Sequence, residues 1–280
     1  MSASYGRRKV VDLAARGLCI GATLLAVVPL VSVLVYVAGA GLSSLSLDFF
    51  TELPKPVGEL GGGMKHAIIG TLILVGLACA VGIPLGLFAG IYLAEFGDGP
   101  LGRVVRFSAD VMSGVPSIII GTFVYVLVLI MQRFSALAGG VALGLLMLPT
   151  ITRTTEELLR LVPASLREAG LALGVPRWRV TLRIVLVTAA PGIATGVMLA
   201  VARVAGETAP LLFTALGNRY LSTALDQPIS ALSLQIYQYA GSPYDDWHRQ
   251  ASAAALVLVA MVLVLNIAAR VLFRARGEIK

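Results

Sequence analysis

Arg203 and Glu207 stand four residues apart in the run Ala202-Arg-Val-Ala-Gly-Glu-Thr-Ala-Pro-Leu-Leu212. On a helix that spacing puts both side chains on one face, within reach of each other. The surrounding run is apolar enough to lie in a bilayer, where an ionisable side chain costs at least ~2.5–3.5 kcal/mol on insertion scales. Pairing lowers that cost without removing it. A guanidinium presents planar, permanently charged donors that match the oxygens of a tetrahedral oxyanion, so one chemistry open to the pair is anion recognition. Glu207 would then neutralise Arg203 while the pathway is empty, so that an arriving anion is not trapped. Thr208 adds a hydroxyl, and Pro210 would break the helix there and free backbone groups. An ion pair that only fixes helix register is the other reading, and the spacing leaves both open.

Two further segments carry spacing of interest. In Pro163-Ala-Ser-Leu-Arg-Glu-Ala-Gly-Leu-Ala-Leu-Gly-Val-Pro176, Ser165 and Glu168 have the S-x-x-E spacing of a capping box. Gly174 suits a left-handed C-terminal cap, and Pro176 stops the helix. A short helix is therefore expected at 165–174, with Leu166, Ala169, Leu173 and, less squarely, Gly170 on one face. Such a face either folds back on its own bundle or docks a partner. In Ser113-Gly-Val-Pro-Ser-Ile118, Pro116 near a helix start would aim free N–H groups at whatever lies beyond, a setting that favours anions. Ser113 and Ser117 are either helix N-caps or anion contacts.

The elements that must hold these groups follow from composition. The chain has 280 residues, 58% hydrophobic and 13% charged, with a mean hydropathy of +0.89. A soluble domain carries about 25% charged residues, so most soluble enzymes are ruled out and a disordered chain is untenable. Six apolar stretches of membrane-span length emerge, at about 18–40, 67–93, 111–131, 134–151, 186–215 and 251–272. They form one membrane domain over 18–272, with tails at 1–17 and 273–280. The third and fourth join in a tight hairpin.

Lys and Arg sort by side. Arg7, Arg8, Lys9, Arg16, Arg103, Arg106, the six arginines of 152–185 and Arg270, Arg274, Arg276 and Lys280 share one side, 16 in all. Lys55, Lys65, Arg133, Arg219 and Arg249 share the other. The bias predicts both termini in the cytoplasm, and it accounts for a pI near 9.7 without a nucleic-acid partner. The loop at 41–65, with Pro54, Pro56 and Gly61-Gly62-Gly63, has a turn-rich, mobile composition. Tyr220, Tyr237, Tyr239 and Trp247 in 217–250 fit an interfacial aromatic belt.

Catalytic patterns are missing. None of the four lysines precedes Ser or Thr, so no phosphate loop is present, and neither HExxH nor GxSxG occurs. Cys19 and Cys79 lie in apolar runs without metal-ligand spacing and are expected to be small buried residues. No metal or other cofactor is expected in this chain. Uphill transport would need an ion gradient or another subunit.

Glu168-Ala169-Gly170-x3-Gly174-x9-Ile184-x-Leu186 resembles the E-A-A-x3-G-x9-I-x-L-P loop of ABC-importer permeases, with Gly170 for the second Ala and Val187 for the Pro. Ala202 to Leu212 and Ser113 to Ile118 resemble the A-R-x-x-G-E-T-A-P-L and S-G-V-P-S-I segments of the phosphate transport permeases in that family. The three motifs stand in family order, and the likeness extends over about residues 64–272. The resemblance implies an all-α integral membrane protein with the six-transmembrane-helix ABC-importer permease fold, N-in/C-in, carrying a cytoplasmic coupling helix. It implies residence in a bacterial or archaeal plasma membrane and ATP-driven import of inorganic phosphate. The implied partners are a PstC-type permease, two PstB-type ATP-binding subunits that hold the ATP and Mg, and an external phosphate-binding protein. Arg203, Glu207 and Thr208 become pathway residues by the same resemblance, with Ser113, Gly114, Pro116 and Ser117 as further candidates. Glu168, Ala169, Gly170 and Gly174 become the ATPase contact. Import of sulfate, molybdate or tungstate is the nearest alternative, since Arg203 alone does not separate tetrahedral oxyanions. A passive channel or scaffold is more distant.

Overall fold

The computed structural model describes residues 2–56, 59 and 61–277. Met1 and the last three residues of the expected 273–280 tail lie outside the described residues. The chain runs as α1 (Ser2–Leu42), α2 (Leu47–Thr51), α3 (Lys65–Phe96), α4 (Pro100–Gly114), α5 (Ser117–Met131), α6 (Ala136–Leu161), α7 (Ala164–Ala172), α8 (Arg177–Val180), a π-turn (Thr181–Val185), α9 (Leu186–Ala205), α10 (Ala209–Thr214), α11 (Leu232–Ala240) and α12 (Asp245–Gly277). Among the described residues five stretches are long and apolar enough to cross a membrane: α1, α3, α6, α8 through α9, and α12. A sixth is formed if α4 and α5, which meet at 110°, are one bent span.

That bend corrects the third expected span. Residues 111–114 belong to α4, and the chain turns at Val115-Pro116 before α5 begins. Proline lacks an N–H and pushes the residue before it out of helical geometry; Val115 is accordingly extended, at φ −75° and ψ 127°. The fourth span also differs, since α6 continues ten residues past the expected end at 151. Its second half carries Arg153, Glu156 and Arg160, but Thr152, Thr155, Glu156 and Leu159 are buried there. The fifth expected span, 186–215, is interrupted at Gly206–Thr208 between α9 and α10.

The core lies where α3, α6 and α9 pack together, around Leu74, Met147, Ile151, Val197 and Val204. Glycines bring the backbones close. A Cβ on Gly82 would stand 2.9 Å from the Gly144 carbonyl, one on Gly86 2.7 Å from Ile151 Cβ, and one on Gly90 2.5 Å from Thr155 Cβ. Repeated every four residues, these form one stripe of α3 against α6. In a bilayer, where lipid is as apolar as leucine, such close packing is a main source of helix association. A stripe of small residues on α9 serves the same end, with Gly192 against Leu158, Gly196 against Thr154 and Ala200 buried. Gly196→Val is therefore expected to cost about 1–3 kcal/mol by overpacking, seen as a lower thermal midpoint of the purified protein.

At the end opposite the arginine-rich one, α2 and α11 close the bundle around Phe49, Met64, Leu232 and Tyr239. Tyr239 stacks on Trp247 at 4.3 Å and is buried, while Tyr220 and Tyr237 are exposed. Cys79 is half-buried, but Cys19 is exposed on α1, against expectation. An apolar run does not bury its residues when the helix packs on one neighbour, and α1 meets α12 near Gly41 and Ser252.

Candidate functional site

Arg203 lies in the last turn of α9, and Glu207 in the three-residue break that follows. They are therefore not on one continuous helix. The relation survives because Gly206 and Glu207 N–H groups donate to the carbonyls of Arg203 and Val204, tightening the end of α9. Arg203 Nε stands 3.7 Å from Glu207 Oε1, with the arginine side chain 54% exposed and the glutamate 18%. The contact is a loose ion pair, and the guanidinium keeps donors free on its open side. Pro210 sits in the first turn of α10, where its missing N–H is no loss.

The break is held by its neighbours. Ser233 Oγ donates to the Glu207 carbonyl at 2.9 Å, and Thr208 Oγ1 makes a long contact of 3.5 Å with the Ser233 carbonyl. Thr208 thus spends its hydroxyl on the first turn of α11. The other side of α10 rests on α5, where a Cβ on Gly121 would come within 2.5 Å of Pro210 Cα. Sequence reading passed over Gly121, whose only signal was a lone glycine in an apolar run.

Pro116 is the N-cap of α5 and Ser117 its first residue, and no side chain caps that end. Ser113 Oγ donates to the Ala109 carbonyl within α4, so neither serine is an N-cap. Gly114 ends α4, with open space where a Cβ would be. Among the described residues no hydrogen bond joins Ser113 or Ser117 to Arg203, Glu207 or Thr208. The two broken segments are brought together through α5 and α10, four residues on from Ser117.

The expected helix at 165–174 is α7, with corrections. It starts at Ala164 with Pro163 as N-cap and no side-chain cap, so Ser165 and Glu168 do not form a capping box. Proline supplies the entry geometry that a capping serine would otherwise set. Its C-terminus matches expectation. Gly174 has φ +73°, the Gly174 N–H bonds Leu171 O and the Val175 N–H bonds Gly170 O, which is a Schellman ending. Gly170 is buried against Val180 and Ile184, facing its own chain rather than the open side, because the chain doubles back there. Leu166, Leu171 and Leu173 are exposed, as are Glu168 and Ala169.

Sequence reading also missed a buried ionic cluster at this end. Glu156 accepts from Arg106 at 2.6 Å and Arg153 at 3.3 Å and lies 3.1 Å from Arg160, while Arg153 also pairs with Asp110. Arg106 further donates to the Gly97 and Leu93 carbonyls, capping the end of α3 and offsetting its dipole. The available signal was Glu156 three residues after Arg153 and four before Arg160. Those arginines explain membrane topology well enough that their spacing went unused. Among the described residues no His/Cys/Asp/Glu group could hold a metal.

A membrane bundle with a charged pair at a helix break, and a short helix projecting from its arginine-rich end, defines a transporter permease. Residues 82–276 match the family described as binding-protein-dependent transport system inner membrane component. The chain is 48% identical over 83% of its length to the phosphate transport system permease protein PstA of Yersinia pestis, covering 80% of that protein. The PstA of Haemophilus influenzae is 47% identical over 84% of this chain and 83% of its own. That of Xylella fastidiosa is 42% identical over 96% of this chain and 94% of its own. The chain belongs to the PstA permease family of binding-protein-dependent transport systems. Its fold is similar to a chain of the inward-facing MetNI methionine ABC transporter, at TM-score 0.61 and 20% identity over 75% of this chain and 93% of that one. A chain of an amino acid ABC transporter aligns at TM-score 0.53 and 16% identity, over 76% and 91%. The family supplies the membrane permease of an ABC importer, distinct from its ATPase.

Proposed function

We propose that this chain is a transmembrane permease subunit of an ATP-driven importer of inorganic phosphate, with hydrolysis carried out by a separate ATPase subunit. The observation that carries the site is Arg203, loosely paired to Glu207 at a helix break and half open, in a segment where a bilayer disfavours charge. The names of the relatives support phosphate as the anion. Arg203 binds the anion in the pathway, Glu207 balances it when empty, and Thr208 holds the break. Ser113, Gly114, Pro116 and Ser117 line the approach at the α4–α5 turn. The arginine-rich end and both termini are cytoplasmic, as the basic bias requires. A PstC-type permease completes the pathway, two PstB-type ATPases bind below, and a phosphate-binding protein delivers from outside.

In this reading α7 is the coupling helix, docking an ATPase subunit through the exposed Glu168, Ala169 and leucine side chains, with Gly174 at its edge. Gly170 shapes the helix from within. Gly174→Asp tests the docking. No atom lies within 4 Å of a Cβ there, and aspartate tolerates left-handed geometry better than most residues, so the chain itself loses only about 1 kcal/mol. ATP-driven uptake is expected to fall about tenfold or more with the permease still assembled; unchanged uptake would remove the ATPase from this face. The function as a whole is tested by ATPase activity of the reconstituted complex, expected to rise with phosphate-loaded binding protein and not with sulfate or molybdate.

A further inference from the structure

Glu95, in the last turn of α3, is a nearly fully buried carboxylate that neither the pathway nor the ATPase contact uses. Its Oε1 accepts from Arg167 Nε at 3.2 Å, and its Oε2 lies 4.0 Å from Arg177 Nε, with the glutamate side chain 5% exposed. Arg167 belongs to α7 and spends its other two nitrogens on α6, donating to the Leu159 and Val162 carbonyls at 2.7 Å each. Arg177 opens α8, donates to the Glu95 carbonyl at 2.8 Å and stacks over Phe96 at 4.9 Å. One carboxylate is thus gripped from within α7 and from the start of α8, while the Arg167 fork also closes the end of α6.

We infer that Glu95, with Arg167, is a positioning residue that transmits displacement of α7 to α3 and α6. The covalent route from α8 into α9 passes through the π-turn at Thr181–Val185, a local irregularity of the kind found at moving sites. The Glu95 route has no such break. A guanidinium using all three nitrogens on fixed acceptors has no free rotamer to absorb a push. Beyond it, α3 and α6 are locked face to face by Gly82, Gly86 and Gly90 and move as one body. A load applied to the exposed side of α7 therefore reaches the core of the bundle in addition to α9, whose last turn holds Arg203.

This inference rests on the reading of α7 as the ATPase-docking helix, and the experiment separates the two. The full complex, with its permease partner, ATPase and binding protein, is reconstituted in vesicles, and phosphate taken up and ATP hydrolysed are measured together. Glu95→Gln is expected to lower phosphate moved per ATP by about tenfold, within the roughly 5–150-fold span of common coupling energies, with hydrolysis and complex recovery unchanged. Arg167→Lys keeps the charge, loses the fork and is expected to lower the same ratio; it is read in place of Glu95→Gln should that variant not assemble. Glu157→Gln, an exposed carboxylate on α6, is expected to leave the ratio alone. An unchanged ratio in the assembled variant overturns the inference, as does a parallel fall in uptake and hydrolysis, which marks a residue that only supports the fold. A wild-type complex that fails to retain its ATPase, or hydrolyses ATP without moving phosphate, overturns the docking reading instead.

Discussion

Arg203→Ala is expected to lower phosphate uptake by about a hundredfold while the assembled complex stays in the membrane. A charge-assisted hydrogen bond is worth about 1.5–3 kcal/mol, and a guanidinium supplies two to one oxyanion. A loss near 3 kcal/mol corresponds to about a hundredfold in binding. The fold does not depend on this side chain, which is half exposed and, among the described residues, holds its one ionic partner at 3.7 Å. Arg203→Lys, a point charge without the fork, is expected to lose about tenfold. Glu207→Gln acts in the opposite direction on binding. With the counter-charge gone the anion is held more tightly and released more slowly, so the apparent KM falls together with the maximal rate. Radiolabelled phosphate uptake over a range of concentrations distinguishes all three. Uptake at the wild-type rate in Arg203→Ala would remove this residue from the pathway.

The long helices were legible because their cause is one-dimensional. A run of apolar residues near twenty long has few uses outside a bilayer, and α1, α3 and α12 follow such runs. The ends were less legible where polar residues are satisfied by distant partners. Glu156 and Arg153 look like a loop in sequence, yet α6 continues through them because Arg106 and Asp110, more than forty residues earlier, complete their ionic contacts. The break at Pro116 was visible as a proline, but its 110° angle depends on where α4 lands against α6.

The site divides in the same way. The pairing of Arg203 with Glu207 is local and was readable from spacing alone, as was the left-handed Gly174. What spacing did not contain was which side of a short helix meets its own chain. Gly170 and Arg167 face inward and Leu173 outward because α7 folds onto Val180, Ile184 and Glu95, all of them remote in sequence or across a turn. The apparent capping box failed for a related reason. Pro163 takes the N-cap position two residues before Ser165, and a two-residue shift changes which N–H groups need a partner.

The Glu156 cluster carries the second large effect, on stability rather than transport. Its carboxylate is 3% exposed and lies within 3.3 Å of nitrogens from three arginines. Removing one member of a buried ion pair costs about 3–5 kcal/mol, because the partner charge is left without compensation. Arg106, Arg153 and Arg160 are 22–48% exposed and regain some hydration, which places Glu156→Ala toward the lower end of that range. The expected result is a clear drop in the thermal midpoint of the purified complex and less of it recovered from membranes. Glu156→Gln keeps the volume and one acceptor oxygen but loses the charge and turns the other oxygen into a donor amide, so it is expected to fall between Glu156→Ala and wild type. The loss should partly reverse in Glu156→Gln combined with Arg160→Gln, since removing an excess cation relieves the repulsion that the first change creates. Arg106 is the wrong second site for that rescue. It also closes the Leu93 and Gly97 carbonyls at the end of α3, so its removal adds a second defect. A Glu156→Ala complex as stable as wild type would mean that hydration of the three arginines offsets the whole of the lost pairing.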